Sequence, residues 1–195
     1  MKKLFLFVTL IMAITLVSAQ EGPKGLSVNE QAPDFSVTDQ NGKSIHLKEQ
    51  LKKGPVVLVF YRGFWCPYCN QHLKKLEDSL TLINSKGATL LTITPEQEEG
   101  VAKTIEKTKA TYSIISDSNL AIMKAYDVAF AVSETTQVKY KEYGIDFNMI
   151  NGPGNGTNLP VPAIYIINKD GKIIYRHFNK NYTQRASVAE ILEHL

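Results

Sequence analysis

The sequence predicts an α/β fold in which a central mixed β-sheet is flanked by helices and preceded by an added N-terminal β-hairpin. Three observations indicate this fold. The apolar runs "PVVLVFY" and "ATLLTIT" alternate with amphipathic segments, a pattern typical of β-α-β units in a partly parallel sheet. The runs "AIYIIN" and "IIYRHF" flank the turn "KDGK", which predicts two antiparallel strands. An Asn-Gly pair separates two short alternating runs near position 41, the strongest local signal for a hairpin.

The N-terminal region differs in character from the rest of the chain. It begins with two lysines, continues with a mostly apolar stretch and reaches small residues that end at Ala19, which predicts a secretory signal peptide over 1–19. The apolar stretch is shorter than the roughly 20 residues that span a bilayer. We therefore expect cleavage after Ala19, a secreted or periplasmic protein, and no stable membrane span after cleavage. Residues 20–30 are polar and glycine-containing, which predicts a flexible leader, and 31–195 form the predicted domain.

Composition and charge restrict the function classes. The chain has 195 residues, 44% of them hydrophobic, and a formal net charge of +3, values that are ordinary for a globular protein with one domain. Without a large basic patch, nucleic acid is not an expected partner. The chain has two cysteines, Cys66 and Cys69. A disulfide that closes so few residues removes little chain entropy from the unfolded state, so this pair is a poor structural cross-link.

The remaining elements follow from periodicity and turn signals. A helical stripe of leucines predicts one helix from about Cys66 to Lys86, ended by Gly87. Further along, "EQEEGVAKTIEKTK", "NLAIMKAY" and "SVAEILEHL" predict helices, and "YSIIS" predicts a third strand. Between 128 and 158 the signal is weaker: "SETTQVKYKEY" is compatible with a helix, and "NGPGNGTN" predicts a glycine-rich loop.

The position of the cysteines indicates redox chemistry. Cys66 lies where the helix opens, and Pro67 suits the first helical position. Unpaired backbone N–H groups and the positive end of the helix dipole favour a thiolate there, and a lower pKa gives more nucleophile at neutral pH. Cys69 continues the apolar stripe towards the core. We therefore predict an exposed, acidic Cys66 that attacks and a buried Cys69 that resolves, with no cofactor.

A metal site is the alternative interpretation of the same residues. Cys66, Cys69 and His72 recur at intervals of three and could supply three ligands to copper or zinc, with His177 as a distant fourth. The redox interpretation instead places His72 on the surface, together with His46 and His194.

Other residues, Pro67 among them, are candidates for substrate binding around the sulfurs. Arg62 could stabilise a thiolate or a sulfenate, or it could be a solvated strand-end residue. Trp65 could shape an apolar rim, as could Tyr68, or simply pack. Val161 would offer its backbone to a substrate if the bond before Pro162 were cis. Pro160 is the competing candidate for such a bond.

The segments "QAPDFSVTDQNGK", "VVLVFYRGFWCPYC" and "LPVPAIYIINKDGKIIY" resemble the alkyl hydroperoxide reductase/thiol-specific antioxidant (AhpC/TSA) family, the peroxiredoxins, in a peroxiredoxin-like branch. The similarity runs from about Gln31 to Leu195. It implies a thioredoxin-like fold and reduction of hydroperoxides through a Cys66/Cys69 dithiol–disulfide cycle, regenerated by a thioredoxin-type reductant.

The cysteine motif also departs from that family. An ungapped match sets Cys69 on the peroxidatic cysteine, Cys66 on its Thr/Ser and Arg62 on its Pro. The arginine that many members hold near the last strand pair has no clear equivalent. Aligned to thioredoxin-like disulfide reductases, Cys66 becomes the nucleophile, but no acidic residue is evident in the central strand. An extracytoplasmic oxidoreductase acting on protein disulfides is therefore the alternative function.

Overall fold

The computed structural model describes residues 22–195, so the predicted signal peptide lies outside the described residues. Nine strands and eight helices are formed within that range. The strands are β1 (Ser36–Thr38), β2 (Ser44–His46), β3 (Val56–Phe60), β4 (Thr89–Thr94), β5 (Ser113–Ser116), β6 (Ala129–Ala131), β7 (Asn158–Pro160), β8 (Ala163–Ile167) and β9 (Ile173–Phe178). The helices are α1 (Leu47–Lys53), α2 (Pro67–Asp78), α3 (Leu80–Ser85), α4 (Glu98–Thr108), α5 (Ala121–Ala125), α6 (Glu134–Glu142), α7 (Phe147–Asn155) and α8 (Val188–Glu193).

The central sheet has five strands in the order β5-β4-β3-β8-β9. Strands β3, β4 and β5 are parallel, whereas β8 is antiparallel to both β3 and β9. All five residues of β3 are buried, because helices cover both faces of this central strand. The predicted mixed sheet and its helical layers are thus confirmed.

Alternation along β3 separates two hydrophobic cores. Val56, Leu58 and Phe60 point to one face, where they pack in a cluster with Tyr126 and Tyr165. Val57, Val59 and Tyr61 point to the opposite face and join the cluster that contains the cysteines and the buried residues of α2. Side chains alternate between the faces of a strand, so this register decides which layer holds the sulfurs.

The N-terminal hairpin forms as predicted from β1 and β2. The short helix α1 follows it and was not predicted. The segment that was predicted as a flexible leader lies against the domain over residues 22–30. Gly25 N donates to Asp127 O at 2.9 Å, and Asn29 N donates to Ile173 O at 2.8 Å.

The helix predicted from Cys66 to Lys86 is interrupted. Ser79 has φ −108° and ψ 6°, outside the helical region, and divides the segment into α2 and α3. The leucine periodicity persists across the break because Leu76 and Ile83 are both fully buried in the same core. The apolar periodicity therefore predicted correctly which residues are buried, but it predicted one continuous helix where the structure has two.

The segment from 128 to 158 forms a compact insertion beside the cysteines. The "SETTQVKYKEY" stretch is helical, as α6. The "NGPGNGTN" stretch was predicted as a loop, but most of it belongs to α7, in which Gly152 (φ 75°) separates two helical turns. Strands β6 and β7 pair in an antiparallel ladder, and Val132, Phe147 and Leu159 form a third apolar cluster against Trp65.

Over residues 22–195, no helix is both long and apolar enough to cross a membrane.

Candidate active site

Both cysteines lie where the loop after β3 enters α2. Cys66 is the N-cap residue, with extended backbone angles, and its Sγ accepts a hydrogen bond from Cys69 N at 3.3 Å. Pro67 occupies the opening position of the helix, as predicted. The two thiols are free, and each residue is 1% exposed. The prediction of an exposed Cys66 is therefore wrong, because the apolar cluster on this face of the sheet encloses both sulfurs.

Arg185 gives Cys69 a cationic neighbour. Its Nη2 donates to Cys69 Sγ at 3.5 Å from the segment that precedes α8. Burial raises the pKa of the Cys69 thiol, but a hydrogen bond from Cys66, the charge of Arg185 and the backbone N–H of Arg62 outweigh burial and lower that pKa to about 6. A sulfur that is ionised at neutral pH is thereby placed inside the protein.

The structure reverses the predicted acidity of the pair. The hydrogen bond that Cys66 shares with Cys69 raises the pKa of Cys66 well above its usual range, and burial adds to the rise. The N-cap position alone favours a thiolate on Cys66. On Cys69, the hydrogen bond from the Cys66 thiol and then the charge of Arg185 outweigh burial, so Cys69 is the more acidic of the two sulfurs.

Arg62 is buried rather than solvated, with 6% of its surface exposed. The guanidinium lies over the rings of Trp65, Tyr140 and Tyr182, at 4.8, 5.7 and 4.3 Å from their centroids. Its Nη2 donates to the Tyr140 hydroxyl at 3.0 Å. Its Nε and Nη1 have no hydrogen-bond partner among residues 22–195. Its charge also lowers the pKa of Cys66, although other effects on that thiol are larger.

Trp65 packs rather than lining an open rim. Its ring makes edge contacts with Tyr140 and Phe147, each at a centroid distance of 5.3 Å. The insertion thus shields the loop before the cysteines. Pro67 and Tyr68, the two residues that follow Cys66, are by contrast exposed.

Val161 and Pro162 are beside the cysteine loop but do not form the predicted substrate rest. Phe60 of β3 faces Ala163 of β8, so the two preceding residues continue alongside the loop. No peptide bond in residues 22–195 is cis, which contradicts the prediction for Pro162 and its competitor Pro160. The Val161 N–H is already donated to Val128 O at 2.8 Å, because the residues that lead into β8 pair with the insertion.

Glu96 is a functional candidate that the sequence analysis missed. The residue is fully buried just beyond β4, and its Oε1 accepts from Phe64 N at 2.9 Å. Burial raises the pKa of this carboxyl to about 8, and the charge of Cys69 contributes to the rise. The site therefore contains a carboxylic acid that stays protonated at neutral pH. The sequence signal that could have identified Glu96 is an acidic residue just after a buried strand, β4, that lies parallel and next to β3.

Gly63 allows Glu96 to approach the loop. Gly63 has φ 150°, and a Cβ added there would lie 2.5 Å from both Glu96 Oε1 and Trp65 Nε1. A side chain at this position would displace the carboxyl or the indole. The glycine of the "YRGFW" motif is thus explained by close packing.

The structure assembles no metal site from the predicted ligands. No group of three or more His, Cys, Asp or Glu side chains within residues 22–195 is arranged to hold a metal ion. His72 was predicted to lie on the surface, but it is only 7% exposed, whereas His46 and His194 are exposed as predicted.

The fold and the site together define a class. A thioredoxin-like α/β domain with a dithiol at the start of the helix after its central strand is the architecture of thiol oxidoreductases. A model of the AhpC/TSA family matches residues 28–176, and the chain belongs to that family. The resemblance inferred from the sequence is thereby confirmed.

Individual relatives fall into two groups. The thiol-disulfide oxidoreductase ResA of Bacillus thuringiensis is 24% identical over 151 residues, covering 76% of this chain and 68% of that protein. The putative peroxiredoxin bcp of Haemophilus influenzae is 29% identical over 103 residues, covering 53% and 66%. The crystal structure of peroxidoxin BcpB from Mycobacterium tuberculosis superposes with a TM-score of 0.61 at 20% identity, covering 77% of this chain and 84% of that one. Both groups are enzymes, and this chain is an enzyme of the same class.

Proposed function

We propose that the protein reduces hydroperoxides, with Cys69 as the attacking thiolate and Cys66 as the resolving thiol. The observation that carries the proposal is the Arg185 guanidinium at 3.5 Å from Cys69 Sγ. A cation in this position stabilises the thiolate before the reaction and the negative charge that develops on the peroxide oxygens during it. This assignment agrees with the ungapped motif match, in which Cys69 falls on the peroxidatic cysteine.

The chemical steps use only the dithiol, the peroxide and a reductant. The Cys69 thiolate attacks the terminal peroxide oxygen, the O–O bond breaks, and the alkoxide or hydroxide leaves and takes up a proton. Cys66 then attacks the resulting sulfenic acid, water leaves, and the Cys66–Cys69 disulfide forms. Two electrons from an external dithiol restore the reduced pair by thiol–disulfide exchange. Glu96 is protonated at neutral pH and adds no negative charge that would oppose the thiolate.

The geometry of the pair favours closure of the disulfide. Residues three apart on a helix have Cβ atoms about 5–6 Å apart, whereas a disulfide needs about 3.8 Å. Cys66 is the N-cap residue and already lies outside helical geometry, with φ −90° and ψ 107°. A change confined to the first turn of α2 is therefore sufficient.

Single-turnover kinetics of the two cysteine variants tests the assignment. The reduced protein is mixed with hydrogen peroxide in stopped flow, and the product is identified by mass. We expect the wild type to react far faster than free cysteine, Cys69→Ser to lose the fast phase, and Cys66→Ser to keep it and accumulate a product one oxygen heavier. A wild-type rate near that of free cysteine, or a fast phase that survives Cys69→Ser, would reject the proposal.

Reduction of protein disulfides is the second candidate. It is supported by the similarity to ResA and by Cys66 Sγ, which accepts the Cys69 N–H beneath an exposed surface of Pro67 and Tyr68. In this reaction Cys66 attacks the substrate and Cys69 releases it. Insulin reduction is the assay: turnover that is lost in Cys66→Ser, together with mixed disulfides trapped by Cys69→Ser, would favour this function over peroxide reduction.

The partners and the location belong to the same proposal. We expect a thioredoxin-type protein as the reductant and a secreted or periplasmic mature chain that begins after Ala19. Expression of the full chain, fractionation and N-terminal mass analysis measure this directly. Recovery of an intact N-terminus in the cytoplasm would contradict it.

A further inference from the structure

A second arginine lies beside the cysteine loop, and the proposed reaction does not yet use it. Cys66 N donates to Gly63 O at 3.1 Å, a turn that folds the loop back and keeps Cys66 close to Arg62. The guanidinium of Arg62 lies 4.8 Å from the ring centroid of Trp65, the residue directly before Cys66. The charge of Arg62 lowers the pKa of the Cys66 thiol, although other effects on that thiol are larger. Arg62 is thus a cation beside the thiol that resolves the proposed intermediate.

The guanidinium of Arg62 is held in place but has no paired anion. It lies among the rings of Trp65, Tyr140 and Tyr182, and its Nη2 donates to the Tyr140 hydroxyl. Within residues 22–195 no carboxylate forms an ion pair with it, and its Nε and Nη1 have no hydrogen-bond partner. Burial of a charge without a partner is costly, and a buried charge acts more strongly on its neighbours than a solvated one. A negative charge that forms nearby during the reaction would offset that cost.

The charge on the cysteine pair moves during the catalytic cycle. In the reduced protein, the hydrogen bond to Cys69 is the largest of the effects that raise the pKa of Cys66, and the charge of Cys69 adds to it. Both effects depend on the anionic Cys69 sulfur and end when Cys69 becomes a neutral sulfenic acid. Burial still opposes ionisation of Cys66, whereas the Cys69 N–H and the charge of Arg62 favour it. The negative charge can therefore form on Cys66 at the stage at which Cys66 has to attack.

Other titratable groups near the pair are either neutral or engaged with the first sulfur. Glu96 is protonated at neutral pH because burial raises its pKa to about 8. His72 is neutral because burial, and then the charge of Arg185, lower its pKa to about 4. Tyr61 is neutral because burial raises its pKa well above its usual value. Arg185 itself donates to Cys69 Sγ, so none of these groups supplies a free positive charge to the resolving thiol.

We propose that Arg62 is a positioning residue for the resolving step, in which its fixed positive charge stabilises Cys66 as a thiolate once Cys69 has been oxidised. The Cys66 thiolate attacks the Cys69 sulfur, the S–S bond forms, the S–O bond breaks, and the leaving hydroxide takes up the proton that Cys66 released. Arg62 keeps its charge throughout and is neither oxidised nor reduced. This proposal rests on the proposed peroxidase function, because the sulfenic acid is the intermediate of that reaction.

Single-turnover kinetics of disulfide closure tests this role. The reduced protein is mixed with hydrogen peroxide and quenched at increasing times, and the sulfenic acid and disulfide forms are separated by mass. We expect Arg62→Met to close the disulfide about tenfold more slowly than the wild type at pH 7, because loss of a neighbouring opposite charge raises a pKa by about 1–3 units. The pH at which closure reaches half its maximal rate should rise by at least about one unit. Arg62→Lys keeps the charge over the rings and should restore most of the rate.

The matched control for a structural effect is Arg176→Met. The Arg176 guanidinium also lies over an aromatic ring, 4.8 Å from the Phe178 centroid, and its Nε is also buried without a partner in residues 22–195. It bonds to the backbone of Lys24 instead of lying beside the cysteine loop, so we expect closure at the wild-type rate. Wild-type closure in Arg62→Met, equal slowing in Arg62→Met and Arg62→Lys, or equal slowing in Arg176→Met would overturn the proposal.

A titration without peroxide separates failure of this role from failure of the function. Cys69→Ser leaves Cys66 as the one thiol of the chain, and its thiolate absorbance is followed against pH with and without Arg62→Met. We expect the pKa of Cys66 to be higher by at least about one unit in the double variant. This shift without a fast peroxide phase in the wild type would reject the peroxidase and retain Arg62 as the cation of Cys66. A fast peroxide phase without this shift would reject the role of Arg62 and retain the peroxidase.

Discussion

Replacement of Arg185 by Gln should raise the pKa at which the cysteine pair loses its first proton. The pKa of Cys69 is lowered from 9.0 to about 6 against the opposing effect of burial. Three pKa units correspond to about 4 kcal/mol of differential stabilisation. Arg185 contributes through its charge and through the hydrogen bond at 3.5 Å, and it shares the effect with the Cys66 thiol and the Arg62 N–H. We therefore expect a rise of at least about one unit, because an opposite charge at this distance typically lowers a pKa by about 1–3 units.

This change is measurable as thiolate absorbance in the ultraviolet against pH. At pH 7 the wild-type pair should be about nine-tenths ionised, and the variant about half or less. Arg176→Gln is the matched control, because Arg176 lies in β9 and bonds to the backbone of Lys24 instead of the sulfurs. The apparent pKa belongs to the coupled pair, so the titration is repeated in Cys66→Ser. An Arg185→Gln variant that titrates like the wild type would refute the electrostatic argument.

Three further predictions concern neighbouring groups. Glu96 has a folded pKa of about 8 against an ordinary 4.5, so the folded state holds a proton that the unfolded state has released. The stability of the wild type relative to Glu96→Gln should therefore fall between about pH 5 and pH 8, by up to ~1.4 kcal/mol per pH unit. Urea midpoints of the two proteins that change in parallel across that range would contradict the assignment. Gly63→Ala should destabilise the fold by about 1–3 kcal/mol more than Gly42→Ala. Both glycines have positive φ, but a Cβ at Gly63 would meet Glu96 and Trp65, whereas nothing lies within 4 Å of a Cβ at Gly42. Equal melting temperatures of the two variants would count against this steric clash. Arg62→Met should change the free energy of unfolding by no more than about 1 kcal/mol, because it removes a buried charge while preserving volume. Chemical denaturation measures this. A loss of stability as large as that of Arg62→Ala would show that the charge itself stabilises the fold.

Local sequence signals located the redox element well. An apolar run of strand length, an N-cap cysteine and a proline at the first helical turn each act within a few residues. They correctly predicted β3, the start of α2 and the position of the dithiol. The break at Ser79 could not be predicted from these local signals, because the apolar periodicity continues through α3, whose buried residues join the same core.

Groups that determine the chemistry come from distant parts of the chain. Arg185 is 116 residues from Cys69, and Glu96 is 32 residues from Phe64, to whose backbone it bonds. Val161 was predicted to offer its backbone to a substrate beside a cis Pro162, yet its N–H is bonded to Val128 of the insertion. No pattern of local periodicity contains these pairings.

The sequence by itself determined where the strands of the central sheet and of the N-terminal hairpin lie, and that two thiols open a helix, because these properties depend on neighbours along the chain. Only the tertiary structure decided that both sulfurs are buried, that Cys69 and not Cys66 has the lower pKa, and that a protonated carboxyl accompanies them. The physical reason is that burial and electrostatic interaction depend on distance through space, and folding brings Arg185 and Glu96 to the cysteines from separate elements.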